Sequence, residues 1–137
     1  MKVPFEELGH AALNLPQFAE PRCFVFGSDD AIKRVYGLDR LQPKVDFSQS
    51  LVIAAHRGQV RSGGHGIKVE GVEVDGRQVT VRIRRTDPPP GAFVTMALAY
   101  PRTLVRVERA HLGGDGPWTF VFLNEKGRLL ATVHEQV

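Results

Sequence analysis

The chain encodes a mainly β fold, an antiparallel β-sandwich or barrel-like sheet of about eight or nine strands with one short α-helix near residues 29–36. Three observations predict it. Short apolar or alternating runs rich in Val, Ile, Phe and Thr recur from residue 50 to the C-terminus, the pattern of strands with one or both faces buried. Gly, Pro, Asn and Asp punctuate those runs at short intervals. Helical spacing with a cap at each end occurs at one place only. The 137 residues fit a single domain spanning 1–137, and 42% hydrophobic against 24% charged residues describes a chain able to fill a core.

VPFEEL, residues 3–8, could start a strand or a short helix: Phe5 and Leu8 fit helical spacing, while Val3 and Phe5 alternate as in a strand, the reading preferred here. RCFVF (22–26) is a short buried strand closed by Gly27. Ser28 then offers a side-chain oxygen to cap a helix, and Asp29 and Asp30 stand where the helix dipole favours negative charge. Ile32, Val35 and Tyr36 follow at i, i+3, i+4 spacing, so one stripe should lie on a sheet, and Gly37 supplies the stop. DRLQPKVDF is an extended connection. LVIAAH (51–56) is continuously apolar. IKVEGVEV (67–74) alternates until Gly71, where the period breaks as a bulge would break it. Asp75-Gly76 is a hairpin signal, and VTVRIRR (79–85) places Val79, Val81 and Ile83 inward with Thr80, Arg82 and Arg84 outward.

DPPPG (87–91) has too many prolines to join a ladder. FVTMALAY (93–100) and TLVRVE (103–108) read as the next two strands, and HLGGDGP as a glycine-rich loop. WTFVFL and LLATVH form a last hairpin about NEKGR, with Gly127 in the left-handed position. Trp118 alternates with Phe120 and Phe122 on the core face.

Several of these pieces stand in a fixed series. VDF at 45–47 precedes the strand LVIAAHRG; SGG at 62–64 opens HGIKVEGVEV; VTVRIRRTDPPPG and FVTMALAYPRTLVRV follow. From Asp46 to Val107 this series resembles the C-terminal domain of the protease-complex subunit PrcB family. The resemblance implies a non-catalytic, mainly β module associated with an extracytoplasmic protease. The chain departs from the family pattern at Val60 and Arg61, where a basic residue and a proline are usual, and at His65, where tyrosine is usual. The export signal common in the family is also missing. The N-terminal MKVPFEELGH carries glutamates where a signal peptide needs an apolar core, and no run is long enough to span a bilayer. The expectation is a soluble, cytoplasmic chain.

The chemistry of individual residues narrows the function. SGGHG is followed by a strand and lacks the Gly-Lys-Ser/Thr ending of a phosphate loop. The histidines His10, His56, His65, His111 and His134 read as surface or strand-end side chains without metal-site spacing. Ser62 and His65 could act as nucleophile and base, but no elbow motif surrounds the serine and no orienting carboxylate is implied. Cys23, the one cysteine, sits in an apolar run as an inert thiol. No catalytic residue, metal or cofactor is therefore expected, and the chain is not read as an enzyme.

The leading reading is a protein-interaction or accessory module, with a protease among the candidate partners. Its candidate loop is Arg61, Ser62, Gly63, Gly64 and His65, flanked by the rim segments DPPPG and HLGGDG; the two glycines also suit a sharp bend into the strand at Ile67. The alternative is nucleic-acid binding through Arg82, Arg84, Arg102 and Arg106 aligned on adjacent strands, against which stands the lack of interleaved stacking aromatics. A further alternative is a carrier holding a small ligand within the sheet. A homodimer would cover the edges that so many strands create.

Overall fold

The computed structural model describes residues 1–9 and 15–137; His10 lies outside the described residues. Among the described residues there are eight strands: β1 Glu6–Glu7, β2 Arg22–Phe26, β3 Ser50–His56, β4 Gly66–Asp75, β5 Gln78–Thr86, β6 Arg102–Glu108, β7 Pro117–Leu123 and β8 Leu129–Gln136. One α-helix, α1, spans Asp29–Tyr36. The strands form two four-stranded sheets, ordered β1-β6-β3-β2 and β4-β5-β7-β8. This is a mainly β, sandwich-like fold with no closed barrel.

The central strand β3 explains the layering. All seven of its residues are buried. Leu51, Ile53 and Ala55 point between the sheets, where they meet Val81, Ile83, Phe120, Phe122 and Trp118. Val52 and Ala54 point the other way, towards Phe26, Ile32, Tyr36 and Leu41. A strand covered on both faces has no use for polar alternation, which is why LVIAAH is continuously apolar. The helix supplies the second cover. Ser28 Oγ accepts from the Ala31 amide at 3.1 Å, Gly37 closes the helix at φ 71°, and Ile32 and Tyr36 are buried one turn apart. Burying a side chain such as Ile32 contributes about 1.5–3 kcal/mol.

Two expectations are corrected. FVTMALAY does not form a strand: residues 93–100 run as a connection, and only Ala99 makes a bridge, to Val60. Its composition suits a strand, but no neighbouring strand offers a ladder, and Phe93, Met96 and Leu98 are left exposed. The second concerns strand direction. β5 and β7 pair in parallel, Val79 opposite Phe120 and Val81 opposite Phe122. Between them the chain passes through β6 in the other sheet, a crossover long enough to return the strand in the same sense. The hairpin that Asp75-Gly76 signals does form between β4 and β5. Asp75 pairs with Gln78, so Gly76 and Arg77 form the turn, with positive φ on Gly76 alone. That is the two-residue turn that takes glycine first.

Other features follow the sequence. The β4–β5 register slips between Val69 and Gly71, the expected bulge. Gly127 has φ 75°, and the Asn124 side chain accepts from the amides of Lys126 and Arg128 to hold the last turn. The N-terminal segment is a strand only in part: Val3 donates to Val72 of β4, while Glu6 and Glu7 pair with β6. One extended segment thus bridges the two sheets, lying on the outer edges of β4 and β6.

Candidate functional site

The candidate loop lies where β3, β4 and β5 end together. Arg57 follows β3 and joins all three: its amide donates to Pro101 O at 2.9 Å, and its guanidinium donates to Gly66 O at 3.0 Å, to Thr86 O at 2.6 Å and to the Asp87 carboxylate. Beyond it, residues 58–65 run alongside the β5–β6 connection. Val60 and Ala99 exchange backbone hydrogen bonds at 2.9 Å, and the Gly63 amide donates to Thr95 O at 2.8 Å. The two connections therefore form one surface, held by main-chain bonds outside either sheet.

Gly64 is required by that approach. Its φ is +88°, and a Cβ there would stand 3.1 Å from Pro88 Cβ and 3.3 Å from Val94 Cγ1. The glycine pair thus bends the chain and also lets it lie flat against the proline-rich connection.

Within this surface three side chains are brought into line. Ser62 Oγ is 3.1 Å from His65 Nε2, and His65 Nδ1 is 2.7 Å from Asp87 Oδ1. The orienting carboxylate that Ser62 and His65 lack in sequence is supplied by the far end of β5. Hydrogen bonds from His65 and Arg57 hold the Asp87 carboxyl below its usual range. An ionised carboxylate only accepts, so Nδ1 of the neutral imidazole carries the proton and Nε2 accepts from Ser62. Arg61 is exposed beside this chain of bonds.

The remaining predicted residues are placed elsewhere. HLGGDG does not join the loop: the Arg77 guanidinium, at the β4–β5 turn, donates to Asp115 O at 2.5 Å, which puts that segment at the opposite end of the sandwich. The four arginines of the proposed basic face do not share a sheet. Arg82 and Arg84 stand on β5, where they meet Glu73 and Glu70, each at 3.1 Å; Arg102 and Arg106 stand on β6, and Arg106 meets Glu6 at 2.6 Å. The two strands went to different layers, and cross-strand carboxylates took up the outward charge.

Of the described histidines, His56 ends β3 but is buried rather than exposed. The Cys23 thiol is pushed up to about 12 by burial, which keeps it protonated and unreactive. Among the described residues no three His, Cys, Asp or Glu side chains converge on a site for a metal. Between the sheets, the space bordered by Cys23, Ala55, His56, Ile67 and Leu130 is about 40 Å³, room for little more than water. Among the described residues no helix is long and apolar enough to cross a membrane.

Fold and site together define a two-sheet β module whose distinctive surface is a glycine-rich loop clasped to a proline-rich one. Residues 51–108 match the family model described as PrcB C-terminal. The match runs from β3 through β6, less than half of the chain, and takes in both connections of the clasp. Comparison with curated proteins and comparison with solved structures gave no match.

Proposed function

We propose that the chain is an accessory module of a proteolytic assembly and docks a partner protein through the surface formed by residues 58–66 and 87–99. The observation that carries this reading is the placement of Phe93, Met96 and Leu98. All three are exposed on a connection whose backbone is fixed by Val60 and Gly63. Large apolar side chains held outward on an ordered scaffold mark surfaces that another chain covers. The association with a protease rests on the likeness of residues 51–108 to the PrcB C-terminal family.

The test is capture from the native cell with the wild-type chain and with a Phe93→Ser, Met96→Ser, Leu98→Ser variant. All three side chains are exposed, so melting temperature should not change. A protease subunit enriched by the wild type and lost with the variant supports the reading. A partner retained by the variant places docking elsewhere.

A further inference from the structure

The line Ser62, His65, Asp87 has a use that docking does not require. We propose that Ser62 is an activated nucleophile, with His65 as its base and Asp87 as the group that positions the base, able to accept an acyl group from small electrophilic carboxylic esters. The connectivity is that of nucleophile, base and orienter: hydroxyl to Nε2 at 3.1 Å, Nδ1 to carboxylate at 2.7 Å. Such an arrangement is recognised by geometry and not by spacing along the chain, since here the carboxylate lies 22 residues beyond the histidine.

The supporting contacts suit the task. Arg57 donates to Asp87 and to Gly66 O and Thr86 O, which fixes the carboxylate at the common end of β4 and β5. The same ion pair keeps Asp87 charged, so it accepts from Nδ1 and leaves Nε2 free to take the serine proton. Ser62 and His65 are half-buried, not sealed, so a small ester can reach the hydroxyl. The Gly63 amide is engaged by Thr95 O, so it is not assigned as an oxyanion donor.

In the reaction, Ser62 Oγ bonds to the ester carbonyl carbon while its proton passes to His65 Nε2. The carbon–oxygen bond to the leaving alkoxide or phenolate breaks, and that group departs with the proton from Nε2. Water, giving a proton to Nε2, then attacks the acyl carbon; the Ser62–acyl bond breaks, a carboxylic acid leaves and the Ser62 hydroxyl is restored. With base activation as the assigned contribution, acceleration should be about 10²–10⁴-fold.

The experiment treats the purified chain with an alkyl fluorophosphonate and, separately, with p-nitrophenyl acetate. Labelling mapped to Ser62 by mass spectrometry, absent in Ser62→Ala, is the expected result. His65→Gln can still hydrogen-bond within the loop but cannot act as a base, so it should label at least about 10²-fold more slowly at unchanged melting temperature. No labelling of the folded wild type, labelling that survives Ser62→Ala, or a His65→Gln rate equal to wild type would overturn the proposal. No partner is needed, so the outcome is independent of the docking test.

Discussion

The Tyr36 hydroxyl and His56 Nε2 are 2.6 Å apart in a buried pair that joins the last residue of α1 to the last residue of β3. The rings of Phe18 and Phe24 stand edge-on to the imidazole, 4.8 and 5.8 Å away between centroids. Burial first, and the positive charge of Arg102 second, push His56 from 6.5 down to about 4. The imidazole is therefore neutral and accepts from the tyrosine.

A pH dependence follows from this pair. The unfolded chain takes up a proton at His56 near pH 6.5, whereas the folded chain does so only near 4. The stability contributed by neutral His56 is complete above the unfolded value and is lost as pH falls through that window. Urea midpoints should decline over this range in the wild type and stay nearly flat in His56→Gln, which keeps an acceptor for Tyr36 without a titrating ring.

Removing the hydroxyl alone should also be costly. Tyr36→Phe leaves the ring packed but strands a buried acceptor on His56, a loss of about 1–3 kcal/mol. Equilibrium unfolding of the variant measures it.

A second acid limb belongs to Glu125. Its carboxylate accepts from the Arg85 amide at 2.9 Å and from the guanidinium at 3.1 and 3.0 Å, which pins the β7–β8 turn to β5. Those bonds hold it down from 4.5 to about 2. Its contribution is present above 4.5 and lost as pH falls towards 2, from the lower end of the His56 window downwards. Glu125→Gln should make the lower decline shallower, the rest belonging to carboxylates such as Asp87 and Glu73, and leave the upper one.

Gly64→Val separates the clasp from the core. Positive φ and contact with Pro88 and Val94 make the substitution strained by about 1–3 kcal/mol. Limited proteolysis should cut faster within residues 58–66 and 87–99, while far-ultraviolet circular dichroism keeps the β signal.

The core itself should respond more strongly. Phe122 is fully buried between the sheets, opposite Val81 on β5 and Ala131 on β8. Phe122→Ala is expected to cost about 3–5 kcal/mol, measured by chemical denaturation.

Residues 93–100 show where composition misleads. A run such as FVTMALAY states that its side chains tolerate an extended backbone, but a strand also needs a neighbour with free amides and carbonyls. The β5–β6 connection spends this stretch crossing from one sheet to the other, so it forms no ladder: Ala99 makes a single bridge to Val60, and Thr95 O accepts one bond from Gly63. The arginines failed for a related reason. Outward alternation along β5 was legible residue by residue, yet the sheet to which β6 belongs is decided by packing. Ser62 and His65 were visible as a pair, but Asp87 stood 22 residues from His65, at the end of a separate strand.

What the sequence alone determined was local: the helix with its Ser28 and Gly37 ends, the bulge before Gly71, the inward faces of β5 and β7, the turn at Gly127, and the likeness to the PrcB C-terminal family. Each rests on the backbone preferences of a few adjacent residues, or on a burial period that repeats within one element. The tertiary structure alone decided which strands share a sheet, the parallel β5–β7 pairing, the clasp of the two connections and the approach of Asp87 to His65. Those are contacts between distant segments, set by which apolar faces bury each other and which polar ends then meet.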